Sequence, residues 1–120
     1  MHFPRKLKKL KLVGTRLAWE DLNIIGQWPT LEVLKLKPNA CRGLEWRPIE
    51  GGFPWFKFLL IEGTNLKYWK ATNVNFPSLE QLVIRHCFQL EEIPIAFADI
   101  YSLQLIELQN CNTKLVASAG

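Results

Sequence analysis

Apolar residues recur along this chain in a fixed beat of three, then two. Leu7, Leu10 and Leu12 set it, followed by Leu31, Leu34 and Leu36, then Phe56, Leu59 and Ile61, then Leu79, Leu82 and Ile84, then Leu103, Ile106 and Leu108. The first members lie 24, 25, 23 and 24 residues apart. The last two apolar positions of each set alternate with their neighbours, which predicts a short strand with one buried side. An aromatic-proline pair opens most of the units, "FP" at 3–4, "WP" at 28–29, "FP" at 53–54 and "FP" at 76–77.

Three residues past each third apolar position stand Thr15, Asn39, Thr64, Cys87 and Cys111. A residue there leaves the strand and turns inward, so it must be small and able to bond neighbouring carbonyls. This is the LxxLxLxx(N/C/T) pattern of a leucine-rich repeat. The fold expected is an α/β leucine-rich-repeat solenoid, a parallel strand ladder on the concave face with short helical or irregular convex returns. One domain spans 1–120, with repeats starting near 3, 28, 53, 76 and 101 and a tail at 112–120. An alternating βα protein would also space its strands regularly, but it has no need for Thr, Asn or Cys at one offset.

One coil cannot bury its own apolar side and must stack on neighbours. Each buried Leu or Ile contributes roughly 1.5–3 kcal/mol. The returns differ: "RLAWEDLNIIG" is predicted to form two or three helical turns, "LEEIPIAF" a short turn ended by Pro94, and "RGLEWRPIEGG" at 42–52 an exposed loop. Trp19, Trp46, Trp55 and Trp69 lie outside the strands and Trp28 opens a repeat; packing of convex returns against the stack is expected of Trp28 and Trp55 in particular, less of Trp46. The first unit opens with Phe3, Leu7, Leu10 and Leu12 and no amphipathic helix before them, so its edge should need a cover.

The outward strand positions define the concave face: Lys9, Lys11 and Val13; Val33, Lys35 and Lys37; Phe58, Leu60 and Glu62; Gln81, Val83 and Arg85; Leu105, Glu107 and Gln109. Lys9, Lys11, Lys35, Lys37, Phe58, Leu60, Glu62, Gln81, Arg85 and Glu107 are the candidate protein-binding residues. Apolar anchors such as Phe58 and Leu60 supply affinity, and charges supply steering. The alternative is a solvated face whose lysines serve solubility. Residues 1–52 hold ten Lys/Arg against five Asp/Glu, a net +5, and residues 53–120 hold five against six, a net −1.

Other chemistries fit less well. The lysines of "RKLKKLKL" would suit phosphates, but its leucines obey the repeat and no nucleic-acid module accompanies them, so a nucleic-acid partner is not favoured. His86 has only Cys87, an inward ladder residue, beside it, and Glu91 and Glu92 are adjacent rather than facing, so no acid–base pair forms. No enzyme activity, metal site or cofactor is expected. Cys41, Cys87 and Cys111 show no CxxC spacing and read as reduced thiols, the last two in the ladder. With 48% apolar residues, mean hydropathy near zero, no apolar core in "MHFPRKLKKLKL" and only "FKFLLIEG" as a longer apolar run, neither a signal peptide nor a spanning helix is expected, and the default location is cytoplasmic.

The phrases "LKKLKLVGTRL", "FPSLEQLVIRHCFQLEEIP" and "LQLIELQNC" go beyond the generic repeat. From Phe3 to about Ala119 the chain resembles the C-terminal leucine-rich-repeat region of plant coiled-coil nucleotide-binding receptors, the disease-resistance proteins, in the nightshade group that includes late-blight resistance homologues. The resemblance implies a non-catalytic module of an innate-immune receptor that recognises pathogen proteins. Alternatively, it implies an intramolecular piece that locks the receptor's own nucleotide-binding part. The phosphate-binding loop GxxxxGK[ST] of such receptors is missing here, so ATP hydrolysis is not expected and the chain should be a piece, a truncated product or a small paralogue.

Overall fold

A computed structural model describes residues 6–72 and 74–119. The opening at Phe3 and His2 lie outside the described residues. The strands are β1 (Lys9–Leu12), β2 (Leu17–Ala18), β3 (Val33–Leu36), β4 (Cys41–Arg42), β5 (Glu45–Trp46), β6 (Phe58–Glu62), β7 (Tyr68–Trp69), β8 (Gln81–Arg85) and β9 (Leu105–Gln109). β1, β3, β6, β8 and β9 are the strands of the apolar beat, and they lie side by side in chain order as one five-stranded sheet. Every pairing in it is parallel, with Leu10, Leu34, Leu59, Leu82 and Ile106 in one register row. The α/β fold with a parallel ladder and few short helices is thus as the pattern implies.

The beat produces the core directly. Leu34, Leu36, Leu59, Ile61, Leu82 and Ile84 are fully buried, as are Leu31 and Leu79. Their equivalents on the two edge strands and just before them, Leu7, Leu10 and Leu12 at one end and Leu103, Ile106 and Leu108 at the other, are only partly buried. Hydroxyls immediately before the first apolar position tie successive units together: Thr30 Oγ1 donates to Leu7 O at 2.8 Å, and Ser102 Oγ donates to Leu79 O at 2.7 Å.

Behind the strands, each return closes differently. "RLAWEDLNIIG" forms a 3-10 turn at Trp19–Asp21 that runs into helix α1 (Leu22–Ile25), with the Asp21 carboxylate accepting the Ala18 N–H at 3.1 Å. The expected ending at Pro94 is corrected: Pro94 precedes a 3-10 helix at Ile95–Asp99 and starts it. Its fixed φ and missing N–H suit a helix start, and its carbonyl accepts the Phe97 N–H at 2.9 Å. Helix α2 (Thr113–Ala119) follows β9, with Leu115 buried.

The segment 42–52 is only in part the exposed loop expected. Its return supplies β4, paired with β2, and β5, paired with β7. Trp46 is fully buried, at the middle of a tryptophan column: its ring stacks on Trp19 at 5.0 Å and on Trp69 at 5.4 Å between centroids. Phe53 and Phe76 meet it edge-on, both at 5.7 Å. The stiff rings of successive returns thereby form a second spine parallel to the leucine core. Asn23 and Asn75 bracket this return, Asn23 Oδ1 accepting the Ile49 N–H at 3.1 Å and Asn75 Nδ2 donating to Ile49 O at 2.8 Å. Trp28 is half-buried against the core as expected, whereas Trp55 is 54% exposed. The reversal follows from neighbouring positions: Phe53 and Phe56 take the inward sites on either side of it.

The ladder residue of the second unit also needs correction. The residue before Thr15, Thr64, Cys87 and Cys111 is left-handed in each case, Gly14 (φ 66), Gly63 (φ 61), His86 (φ 53) and Asn110 (φ 50). In the second unit that position is Pro38, whose ring fixes φ near −65° and forbids the turn. The left-handed residue is therefore Asn39 (φ 62), and the inward site passes to Ala40, which is fully buried while Asn39 is exposed.

Candidate binding face

Alternation along the five strands sends three register rows to the side opposite the leucines. The first row is Lys9, Val33, Phe58, Gln81 and Leu105, and the second is Lys11, Lys35, Leu60, Val83 and Glu107. The third contains Glu62, Arg85 and Gln109, with Lys37 directly after β3 beside Glu62. Adjacent strands lie about 4.8 Å apart, so same-row side chains are neighbours.

The third row is a closed ionic bridge. Lys37 Nζ lies 3.1 Å from Glu62 Oε2, and Arg85 Nη1 lies 3.9 Å from Glu62 Oε1. Glu62 keeps only 13% of its side chain exposed. Two cations of the face are thereby spent on one internal carboxylate. The buried Arg85 Nε has no hydrogen-bond partner among the described residues.

The middle of the second row is apolar but largely inaccessible. Leu60 is 4% and Val83 3% exposed, and Phe58, Glu62 and Arg85 on the same two strands are half-buried. Of the two expected apolar anchors, Phe58 alone offers appreciable surface, under the Lys35 ammonium at 6.0 Å from its ring centroid. Gln81 is exposed, and half-buried Glu107 accepts from Gln109 Nε2 at 3.3 Å.

The remaining positive charge is concentrated at one corner. Lys9, Lys11 and Lys35 are all exposed, and Lys11 and Lys35 are directly paired in register. Like charges side by side on adjacent strands cost stability. A face kept under such repulsion is relieved when an acidic group settles on it.

The ladder behind the face is structural. Thr15 Oγ1 donates to Ala40 O at 2.8 Å. The Cys87 thiol lies 3.7 Å from Ile61 O and 3.3 Å from Arg85 O, and the Cys111 thiol 3.4 Å from Ile84 O. Thr64 Oγ1 accepts the Leu66 N–H at 3.1 Å. All three cysteines are free. Burial pushes Cys41 from 9.0 up to about 12, with the nearby Asp21 carboxylate adding to it. Burial likewise raises Cys87, against the opposing hydrogen bonds from Thr64. Buried thiols of this kind are inert rather than nucleophilic. Exposed His86 stands beside Phe88, with ring centroids 6.5 Å apart. Among the described residues no three His, Cys, Asp or Glu side chains converge as a metal ion requires, and no helix is long and apolar enough to cross a membrane.

No family model matches the chain. It is similar to curated proteins of Solanum demissum: 48% identical to late blight resistance protein homolog R1B-23, 46% to late blight resistance protein homolog R1B-16 and 42% to late blight resistance protein R1-A, each over 115 residues and 94% of this chain. The chain spans 9% of the length of these relatives. The resemblance to nightshade late-blight resistance homologues is therefore shown, for a segment.

Proposed function

On the premise that the chain corresponds to a segment of late blight resistance proteins, we propose that it is a non-catalytic, protein-binding leucine-rich-repeat module of a plant innate-immune receptor. Acting in the cytoplasm, it recognises a pathogen protein and thereby contributes to the hypersensitive response. The observation that carries this reading is the uneven charge of the open sheet face. Lys37 and Arg85 are held by Glu62, while Lys9, Lys11 and Lys35 remain exposed, Lys35 over the Phe58 ring. That corner suits an acidic protein segment carrying one apolar side chain, the charges steering and the ring anchoring. A phosphate backbone is a poorer fit, because Glu62 and Glu107 interrupt the stripe it would follow. Free thiols are in keeping with a reducing compartment.

The test is a chimera in which this chain replaces the matching segment of the R1B-23 homolog, expressed in leaf tissue and challenged with the pathogen. Lys11→Glu with Lys35→Glu should abolish the triggered cell death and leave the unchallenged leaf quiet. An unchanged response would contradict recognition through this corner. Cell death without challenge would instead assign the face to a lock on the receptor's own nucleotide-binding part.

A further inference from the structure

Behind the sheet, the returns of the third and fourth units do not close on one another. The amides of Lys67 and Tyr68 donate to Leu44 O, and that of Lys70 to Trp46 O, which ties β7 to the return before it. Backbone groups of successive strand residues point to opposite sides, so the N–H and C=O of Trp69 turn the other way. No strand lies beyond β7 in that sheet. The next return, from Glu91 to Pro94, stands off from this edge and leaves a cleft of about 230 Å³. β6 and β8, the strands of these two units, are both interior to the main sheet, so described units flank the cleft on either side.

The walls of the cleft carry opposite charge. From one come Lys67 and Lys70, whose ammoniums lie 5.4 and 5.7 Å from the centroid of the Tyr68 ring. From the other come Glu91 and Glu92. Glu91 Oε1 lies 3.4 Å from Lys114 Nζ, but among the described residues Lys67, Lys70 and Glu92 enter no ion pair. The charges therefore line the gap without neutralising one another across it. A plain anion would meet the two carboxylates and a plain cation the two ammoniums, whereas a ligand of both signs satisfies both walls. The space is below the roughly 300–1,000 Å³ of drug-sized sites, so the ligand is small. The free edge of Trp69 matches the donor and acceptor of one peptide group.

We propose that this cleft binds a small zwitterion of dipeptide type, its carboxylate at the Lys67 and Lys70 ammoniums, its ammonium at Glu92 and its peptide group on the Trp69 backbone. The site lies on the returns, apart from the lysine corner of the open sheet face, and does not depend on what that corner binds.

The experiment is a proton–nitrogen correlation titration of the isotope-labelled 120-residue chain with alanylalanine at about pH 6, where the dipeptide carries both charges. Saturable shifts should centre on the amides of Trp69 and Glu92. N-acetyl-alanylalanine and alanylalanine amide, each missing one charge, should bind about tenfold more weakly. Free alanine, which lacks the peptide group, should also bind more weakly than the dipeptide. Lys67→Ala with Lys70→Ala should level the preference for the dipeptide over its amide, and Glu92→Gln the preference over its acetylated form. No saturable shift at Trp69, a blocked peptide or free alanine that binds as tightly as the dipeptide, or variants that keep the parent's preferences would each overturn the proposal.

Discussion

Lys37 and Glu62, on neighbouring units, meet at 3.1 Å on the open side of the sheet. This contact removes one lysine from the basic half of the chain and leaves the positive corner to Lys9, Lys11 and Lys35. Glu62→Ala should leave Lys37 and Arg85 without their shared carboxylate and destabilise the fold by about 1–2 kcal/mol. A double-mutant cycle with Lys37→Ala, read by urea unfolding, should give a coupling of roughly 0.5–1 kcal/mol. Zero coupling would mean that the pair is spectator to stability.

Trp46 and Trp55 should respond in opposite ways to the same change. Trp46→Ala empties the centre of the stacked column and should cost about 3–5 kcal/mol. Trp55, more than half exposed, should tolerate alanine within about 0.5 kcal/mol. Thermal melts of the two variants check this, and equal losses would contradict the column.

The left-handed turns before the ladder residues give a pair of opposite signs. His86 holds φ 53 with a side chain on it, a conformation that costs roughly 1–2 kcal/mol for a non-glycine residue. After the entropy lost by glycine on folding, His86→Gly should stabilise by a few tenths to about 1 kcal/mol. Gly63→Ala should destabilise by about 1 kcal/mol or more: Gly63 has φ +61, and an added Cβ would stand 3.2 Å from Pro38 Cγ. Denaturant midpoints distinguish the two directions.

Thiol chemistry supplies a pH dependence. Below 9.0 the Cys41 thiol keeps its proton in both folded and unfolded chains, and its contribution to stability is intact. From 9.0 toward 12 the unfolded thiol ionises while the folded one does not. The unfolded state then binds fewer protons, and stability falls as the pH rises through that window. Cys41→Ala should flatten this fall in urea titrations at alkaline pH. At neutral pH a thiol reagent should label Cys111 first and reach Cys41 and Cys87 only as the chain unfolds.

Where each residue's fate depends on the repeat, it was legible in the sequence. The five strands of the main sheet, their order, their register and the burial of Leu34, Leu36, Leu59 and Leu82 follow from a beat of three and two at a spacing close to 24 residues. The tryptophan column was not legible, because Trp19, Trp46 and Trp69 sit 27 and 23 residues apart, and returns of unequal length conceal a shared spine. Hydroxyls just before the first apolar position, as at Thr30 and Ser102, were a signal that could have been read. Asn39 misled because Pro38 cannot take the left-handed turn, which moves the ladder by one residue. On the candidate face, alternation gives the direction of Leu60 but not its burial to 4% exposure between Lys35 and Val83 of the adjoining strands.

Lysine footprinting of the chimeric receptor, by acetylation before and after pathogen challenge, tests the binding face most directly. The account predicts that Lys9, Lys11 and Lys35 lose reactivity on challenge while Lys67, Lys70 and Lys114 keep theirs. Unchanged reactivity at the three face lysines in a receptor that still responds would contradict it.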